Sequence, residues 1–246
     1  MEAAEIRKLA ELEAKHWWYS ERRTVLAQSL DALAREGEKP GRALDIGAAG
    51  GGNTRVLLGR GWDATALEYG EEGAQVAHER NIPVIRGDAV ALPVADEAMD
   101  LVVAYDVLEH IEDDKSAANE ICRVLRPGGT ALVAVPCDMK LWSEHDTAVG
   151  HFRRYERDGL LNLLTSAGLQ IENVRSWNVL LRPVAAWRRK RSTGSDLQDL
   201  PPLVNLGLTA VIAAERYLPL GNLPGVSVLV RARRQDPAGK SPRGTY

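Results

Sequence analysis

The feature that most constrains the fold is a regular alternation, beginning at Ala43, of short apolar runs with helical patterns. Strands are predicted over 43–47, 63–69, 83–88, 99–106 and 129–136, and helices between them over 53–60, 71–80 and 113–126. The helix over 113–126 is expected to stop at Pro127, Gly128 and Gly129. Near-continuous apolar strands separated by helices are typical of a parallel sheet covered on both faces, so the predicted class is α/β.

The pattern changes in the second half of the chain. A helix is predicted over 157–167, and strands over 169–179 and 226–234. The stretch between these two strands, 180–225, is predicted to be a helical insertion, with a basic piece at 186–191 and an apolar helix at 202–218. The expected organisation is an N-terminal helical extension or lid over 1–40, interrupted near 16–18, a main domain over 41–234 and a disordered tail over 235–246.

Charge and cysteine content exclude several classes of protein. The 246 residues include 31 Lys and Arg against 34 Asp and Glu, so a net charge of −3 argues against a nucleic-acid partner. Cys122 and Cys137 have neither disulfide-framework nor zinc-ligand spacing, and no metal site is expected. The first residues lack the apolar core of a signal peptide, and no long apolar run is present, which predicts a soluble, cytoplasmic protein. The oligomeric state is left open.

A glycine-rich turn, LDIGAAGGGNT (44–54), follows the first predicted strand, where a ligand can approach the backbone closely. The dinucleotide fingerprint is Gly-x-Gly-x-x-Gly. Gly47 and Gly52 match its first and last glycines, but Ala49 occupies the position of the middle glycine. Glu68 ends the second strand, where a carboxylate can accept hydrogen bonds from ribose hydroxyls. This glutamate suits any nucleoside cofactor, so the turn alone does not identify the ligand.

Three further features distinguish between nucleoside cofactors. Asp45 precedes the turn, where its negative charge disfavours a pyrophosphate and tolerates a cationic ligand. Asp88 and Ala89 follow the third strand, where a carboxylate and a backbone N–H can meet an adenine ring. Asp106 begins the run DVLEHI after the fourth strand, at the same carboxyl edge. Ligands of open α/β sheets bind at that edge, so a phosphate-free nucleoside is favoured.

These segments together resemble the successive motifs of class I S-adenosylmethionine-dependent methyltransferases, of the small-molecule kind called type 11 or 12. The resemblance covers about residues 40–180 and rests on LDIGAAGGG, LEYGEEG, GDAVALPVADEAMDLVVAYDVLEHIED and CRVLRPGGTALVAVP. It implies a Rossmann-like, mainly parallel sheet of seven strands whose last strand is antiparallel. It also implies S-adenosyl-L-methionine as cofactor and S-adenosyl-L-homocysteine as product. The cofactor residues that it implies are Asp45, Gly47, Ala49, Gly51, Glu68, Tyr69, Asp88, Ala89, Asp106, Val107, Trp18 and Tyr19.

Ala49 stands where the family usually has glycine, and its methyl group is expected to narrow the turn and slightly weaken cofactor affinity. A second resemblance, over 141–169, implies that the loop after the fifth strand faces the methyl acceptor. His145 and His151 are the candidate proton acceptors, with His145 preferred because Asp146 adjoins it. The candidate substrate-binding residues are Asp146, Arg153, Arg154 and Tyr155. The histidines alternatively pin the loop, the arginines alternatively form surface ion pairs, and Glu109 is expected to face solvent.

The predicted function is methyl transfer from S-adenosylmethionine to a small molecule, such as a natural product, a sugar or a lipid-linked intermediate. The acceptor atom is left open. One alternative is an NAD-dependent oxidoreductase, against which Asp45 and Ala49 argue. Another is a non-catalytic S-adenosylmethionine-binding or membrane-surface protein, suggested by the basic piece at 186–191 and by the apolar helix. Weak contact with a membrane surface is compatible with either an enzyme or a binding protein.

Overall fold

In the computed structural model, a single seven-stranded sheet organises the described residues, which are 7, 11–13, 15–189 and 200–236. Its strands are β1 Arg42–Ile46, β2 Asp63–Glu68, β3 Val84–Arg86, β4 Met99–Tyr105, β5 Leu125–Pro136, β6 Leu169–Trp177 and β7 Ser227–Arg234. The helices are α1 Trp17–Arg35, α2 Gly52–Leu58, α3 Glu71–Glu79, α4 Asp114–Val124, α5 Glu144–Ala148, α6 Arg157–Ser166, α7 Arg182–Arg189 and α8 Pro202–Glu215. Short 3₁₀ turns span Leu108–His110 and Met139–Leu141.

The strands lie in the order β3-β2-β1-β4-β5-β7-β6. All pairs are parallel except those of β7, which is antiparallel to both β5 and β6. This arrangement confirms the predicted fold class, including the antiparallel last strand. The strand order reverses between β1 and β4, and this is the point at which open α/β sheets form a ligand crevice beyond their carboxyl ends.

Both faces of the sheet are buried. Adjacent residues of β4 illustrate this, since Leu101 and Val102 are both fully buried but pack into different clusters on opposite faces. Helix α1 covers one face through Leu26 and Leu33, which are also fully buried. The helix of the N-terminal extension is therefore part of the core.

The predicted boundary between α4 and β5 was wrong. The helix ends at Val124, and β5 begins at Leu125, so that Pro127–Gly129 lies inside the strand instead of stopping a helix. Leu125 pairs with Met99 before the register shifts. The pairing of residues distant in sequence overrides the local tendency of Pro-Gly-Gly to form a turn.

The insertion contains two described helices, α7 and α8, and residues 190–199 between them lie outside the described part, as do 237–246 of the predicted tail. Helix α8 ends earlier than the predicted 202–218. It packs on α1, where Ile212 is fully buried and the Asn205 side chain accepts a hydrogen bond from the Trp17 N–H at 2.8 Å. Among the described helices, none combines the length and the apolar character needed to cross a bilayer.

Candidate active site

A cavity of about 1020 Å³ lies at the carboxyl ends of the parallel strands. Gly47 after β1, Glu68 at the end of β2 and Asp106 after β4 line one side. Helix α1 and the insertion line another side, through residues such as Trp18 and Leu208. The predicted site residues that line the cavity are Trp18, Tyr19, Gly47, Ala49, Glu68, Tyr69, Asp88, Ala89, Asp106, Val107, His145, His151 and Arg154.

The glycine-rich turn contacts Glu68 through a backbone hydrogen bond. Gly47 has φ of +67°, and a Cβ there would lie 2.7 Å from the Val107 side chain, so only glycine fits. Ala49 also has positive φ, +46°, and its backbone N–H donates to the Glu68 carboxylate. Burial raises the pKa of Glu68, and repulsion from Glu13 adds to the effect, whereas the Ala49 hydrogen bond opposes it. The carboxylate is thus held at the cavity wall by the turn that precedes it in the chain.

Two predicted cofactor residues lie outside the cavity lining. Asp45 is 1% exposed, and its carboxylate accepts a hydrogen bond from the Thr54 hydroxyl at 2.6 Å. It therefore ties the end of β1 to α2 beneath the turn. Gly51, with φ of +78°, precedes the first residue of α2. Asp45 thus supports the turn from within the core, and Gly51 supplies the positive φ at which the turn passes into α2.

Burial raises the pKa of Asp45 to about 7, to which Glu13 and Glu68 contribute. The folded state therefore holds this proton more tightly than the unfolded chain. As the pH rises from 5 to 7, the contribution of this proton to the free energy of unfolding falls by up to about 1.4 kcal/mol per pH unit. Asp45→Asn removes the titrating group. In urea unfolding without cofactor, the free energy of unfolding of the variant should therefore rise relative to that of wild type between pH 5 and 7. Asp63→Asn, at an exposed position, is the control; equal pH dependence in Asp45→Asn and wild type would contradict the assignment.

Asp106 is held by an arginine that sequence reasoning missed. The Arg22 guanidinium donates to both Asp106 oxygens, at 2.9 and 2.6 Å, and lies over the rings of Trp18 and Trp177 at 5.0 and 4.4 Å. Its remaining nitrogen, Nη1, is buried with no hydrogen-bond partner among the described residues. The only sequence signal for Arg22 was its place in HWWYSERR (16–23), a run that resembles a segment closing over the cofactor.

These groups fit S-adenosylmethionine. Glu68, Asp88 and Asp106 give this side of the cavity an acidic lining, which suits ribose hydroxyls and a cationic sulfonium and disfavours a pyrophosphate. The unpartnered Nη1 of Arg22 suits a carboxylate, which the methionine part of the cofactor carries. The roles of the individual residues toward the cofactor remain predictions.

In the loop after β5, which also lines the cavity, Asp146 orients His151. The Nδ1 atom of His151 lies 2.9 Å from the Asp146 carboxylate, which also accepts from Arg154 Nε at 2.8 Å. Burial alone would raise the pKa of Asp146, but the hydrogen bond from His151 and the charge of Arg154 hold it below its ordinary value. His145 adjoins Asp146 in sequence, but its ring centre is 6.4 Å from that of His151. The contact with Asp146 thus favours His151 as the imidazole that this carboxylate orients, and the preference for His145 as the proton acceptor stays a prediction.

Three of the predicted substrate-binding residues do not line the cavity. Asp146 is fully buried behind His151. Arg153 pairs with Asp114 at 2.5 Å, and the Tyr155 hydroxyl donates to the same carboxylate at 2.7 Å. Both side chains are turned toward α4, because neighbouring residues of an extended segment point in opposite directions. Arg154, the residue between them, does line the cavity.

Glu109 also differs from its prediction, because the sequence analysis expected it to face solvent. It is fully buried and lines the cavity, and neither of its carboxylate oxygens has a hydrogen-bond partner among the described residues. Burial, followed by repulsion from Asp106, raises its pKa well above the ordinary range. The 3₁₀ turn Leu108–His110 turns this side chain inward, a local geometry that the sequence pattern did not indicate.

Comparison with known proteins gives an independent result. Residues 44–133 match the family model described as a methyltransferase domain. A probable S-adenosylmethionine-dependent methyltransferase of Mycolicibacterium smegmatis is 35% identical over 113 residues, 44% of this chain and 43% of that protein. A demethylmenaquinone methyltransferase of Renibacterium salmoninarum is 32% identical over 155 residues, 61% of this chain and 62% of that protein. The chain thus spans about half the length of these relatives.

Solved structures agree on the fold. One chain from the complex between the Trm112 methyltransferase activator of Haloferax volcanii and a methyltransferase superposes with a TM-score of 0.63. The match covers 95% of this chain and 96% of that one at 22% identity, which supports the fold alone. With the family model and the relatives, these findings show that residues 44–133 match a methyltransferase domain and that the chain is similar to S-adenosylmethionine-dependent methyltransferases.

Proposed function

We propose that the protein transfers the methyl group of S-adenosylmethionine to a small-molecule acceptor. The observation that carries this proposal is one cavity lined by two chemically different sets of groups. The carboxyl ends of β2 and β4 carry Glu68 and Asp106, which suit a cationic nucleoside, and the loop after β5 adds His151, an imidazole, to the same lining. A cofactor and an acceptor bound to these two sets would meet inside the cavity.

S-adenosylmethionine, when bound, supplies an activated methyl group on a sulfonium. The protein then has to align the acceptor with that methyl and keep water out, and alignment alone can contribute about 7–11 kcal/mol. Trp18 of α1 and Leu208 of α8 line the cavity together with the glycine-rich turn. We assign the wall that holds the acceptor to the insertion.

His151 is the residue that we assign to activation of the acceptor. A proton on Nδ1, donated to Asp146, leaves the lone pair of Nε2 directed away from that carboxylate. A lone pair held in this way can accept a proton or bind a cation. Either property would make an acceptor hydroxyl more nucleophilic. Arg154, which shares Asp146, keeps the carboxylate in place and is a positioning residue.

The acceptor that we propose is apolar or amphipathic. Leu181, Val184 and Leu208 of the insertion line the cavity, and α8 leaves Leu203 and Leu206 exposed at its outer surface. Such an apolar surface beside the site would favour weak contact with a membrane that carries the acceptor. One relative is named a demethylmenaquinone methyltransferase, so demethylmenaquinone is the first acceptor to test.

The test is transfer of labelled methyl from S-adenosylmethionine to demethylmenaquinone reduced to its quinol form, which carries the hydroxyl groups that the quinone lacks, and to fractionated cell extract. We expect the label in the organic-soluble, low-molecular-weight fraction, with S-adenosylhomocysteine as the second product. Glu68→Ala provides the background, because it should fail to hold the cofactor. Label only in protein or nucleic acid, or no transfer to any fraction, would refute the proposal.

A further inference from the structure

A second chemical feature of the cavity is a cluster of three side chains that can ligate a metal. Glu109 and His110 come from the 3₁₀ turn after β4, and His151 comes from the loop after β5. One ligand atom from each side chain lies within 4.8 Å of the other two, and Glu109 Oε1 is 4.0 Å from His151 Nε2. The spacing of Cys122 and Cys137 was the reason why no metal site was expected, and this cluster contains neither cysteine.

We propose that Glu109, His110 and His151 bind one divalent first-row transition-metal ion. Two imidazoles and one carboxylate are a donor set typical of Zn²⁺, Fe²⁺ and similar ions. An ion with bonds of about 2.0–2.2 Å would draw the three donor atoms together by side-chain rotation. Three protein ligands leave coordination positions open, as catalytic metal sites require.

The unpartnered carboxylate of Glu109 is the independent observation that points to a ligand. A buried carboxylate without a hydrogen bond is costly, and buried charges are normally paired or bound to a metal. The two nearby arginines already bind other groups. Arg22 is paired with Asp106, and Arg154 donates to Asp146 and to the Cys137 carbonyl. A cation between Glu109 and the two imidazoles could bind both Glu109 oxygens. It could instead bind one of them, and the other oxygen would then accept a hydrogen bond from a ligand in the cavity.

Asp146 gives the cluster the outer support that metal sites show. A histidine that ligates a metal through one ring nitrogen usually donates the other N–H to a carboxylate or carbonyl, which fixes the ring. His151 has this arrangement, since its Nδ1 is 2.9 Å from Asp146 and its Nε2 is the atom near Glu109. The His110 ring packs edge-on against it, with ring centres 4.6 Å apart.

The cluster would act on the acceptor. The cavity is the place where the open coordination positions would lie, so an oxygen of the acceptor could bind there. A bound cation lowers the pKa of a coordinated hydroxyl, whose proton then leaves to water. This role, unlike the metal binding itself, rests on the proposed function and favours an acceptor with a hydroxyl group.

The test is calorimetric titration of Zn²⁺ and of Mn²⁺ into purified protein stripped with a chelator, without cofactor. We expect one ion per chain. Glu109→Gln, His110→Ala and His151→Ala should each weaken binding at least about 10-fold, which is the lower range seen even for supporting residues of metal sites. His78→Ala, on the exposed face of α3, should bind the ion as wild type does. Binding of S-adenosylhomocysteine by every variant checks that it is folded.

No binding at millimolar concentrations of either ion, or unchanged affinity in Glu109→Gln, would overturn the metal site. The result is separable from the proposed function. Metal binding without methyl transfer leaves the site standing and removes its role, whereas methyl transfer by protein that binds no metal leaves the proposed function standing and removes the site.

Discussion

Glu68→Ala is expected to weaken the binding of S-adenosylmethionine by about 100-fold or more. Glu68 lies at the cavity wall at the end of β2, where its carboxylate can accept hydrogen bonds from two ribose hydroxyls. Each bond to a charged group contributes about 1.5–3 kcal/mol, and about 1.4 kcal/mol is a tenfold change in affinity. Isothermal titration of S-adenosylhomocysteine, a stable ligand, measures the effect.

Glu71→Ala is the matched control, because Glu71 is an exposed glutamate at the start of α3 whose partner is Arg86. It should bind the ligand as wild type does. Glu68→Gln, which keeps an acceptor for the Ala49 N–H, should lie between wild type and Glu68→Ala. An unchanged affinity in Glu68→Ala would mean that the ribose is held by other residues.

His151→Ala is expected to lower the rate of methyl transfer to a hydroxyl acceptor by about 100-fold or more. The loss should fall on kcat, and the affinity for S-adenosylhomocysteine should stay close to that of wild type, because the role that we propose for His151 is toward the acceptor. His151→Gln fills similar space without a basic nitrogen and should be equally slow. Steady-state rates and ligand titration on the same preparations separate the two effects.

His145→Ala should lose less activity than His151→Ala, because the ring of His151 lies 2.9 Å from the Asp146 carboxylate that orients it. His78→Ala, at an exposed position on α3, should have wild-type kinetics. Full activity of His151→Ala would remove His151 from acceptor activation and leave it a structural role in the loop.

The sheet could be predicted from the sequence because its strands are buried on both faces. Val102, Val103 and Ala104 of β4 are all apolar, and this run is what a central parallel strand requires. The boundary at Leu125 could not be predicted, since it depends on pairing with Met99 across the sheet. Local turn preferences carry no information about such a partner.

The residues at the strand ends could be located better than those of α1 and of the loop after β5, for a similar reason. Glu68 ends β2 and Asp106 follows β4, so the topology alone brings them to one edge. Arg22 reaches that edge from a helix, and His151 from an irregular loop, so their directions depend on tertiary packing. Glu109 was misjudged because a charged residue beside a strand end is ordinarily solvated, and only the 3₁₀ turn directs it inward.

The most direct test of the central claim is calorimetric titration of the purified protein with S-adenosylmethionine and, separately, with NAD. The acidic strand ends and the buried Nη1 of Arg22 predict one molecule of S-adenosylmethionine bound per chain and no measurable heat from NAD. Both ligands carry adenosine, so the comparison tests which group the site accepts next to it, the methionine sulfonium or the pyrophosphate with its nicotinamide riboside. Binding of NAD with no binding of S-adenosylmethionine would contradict the account.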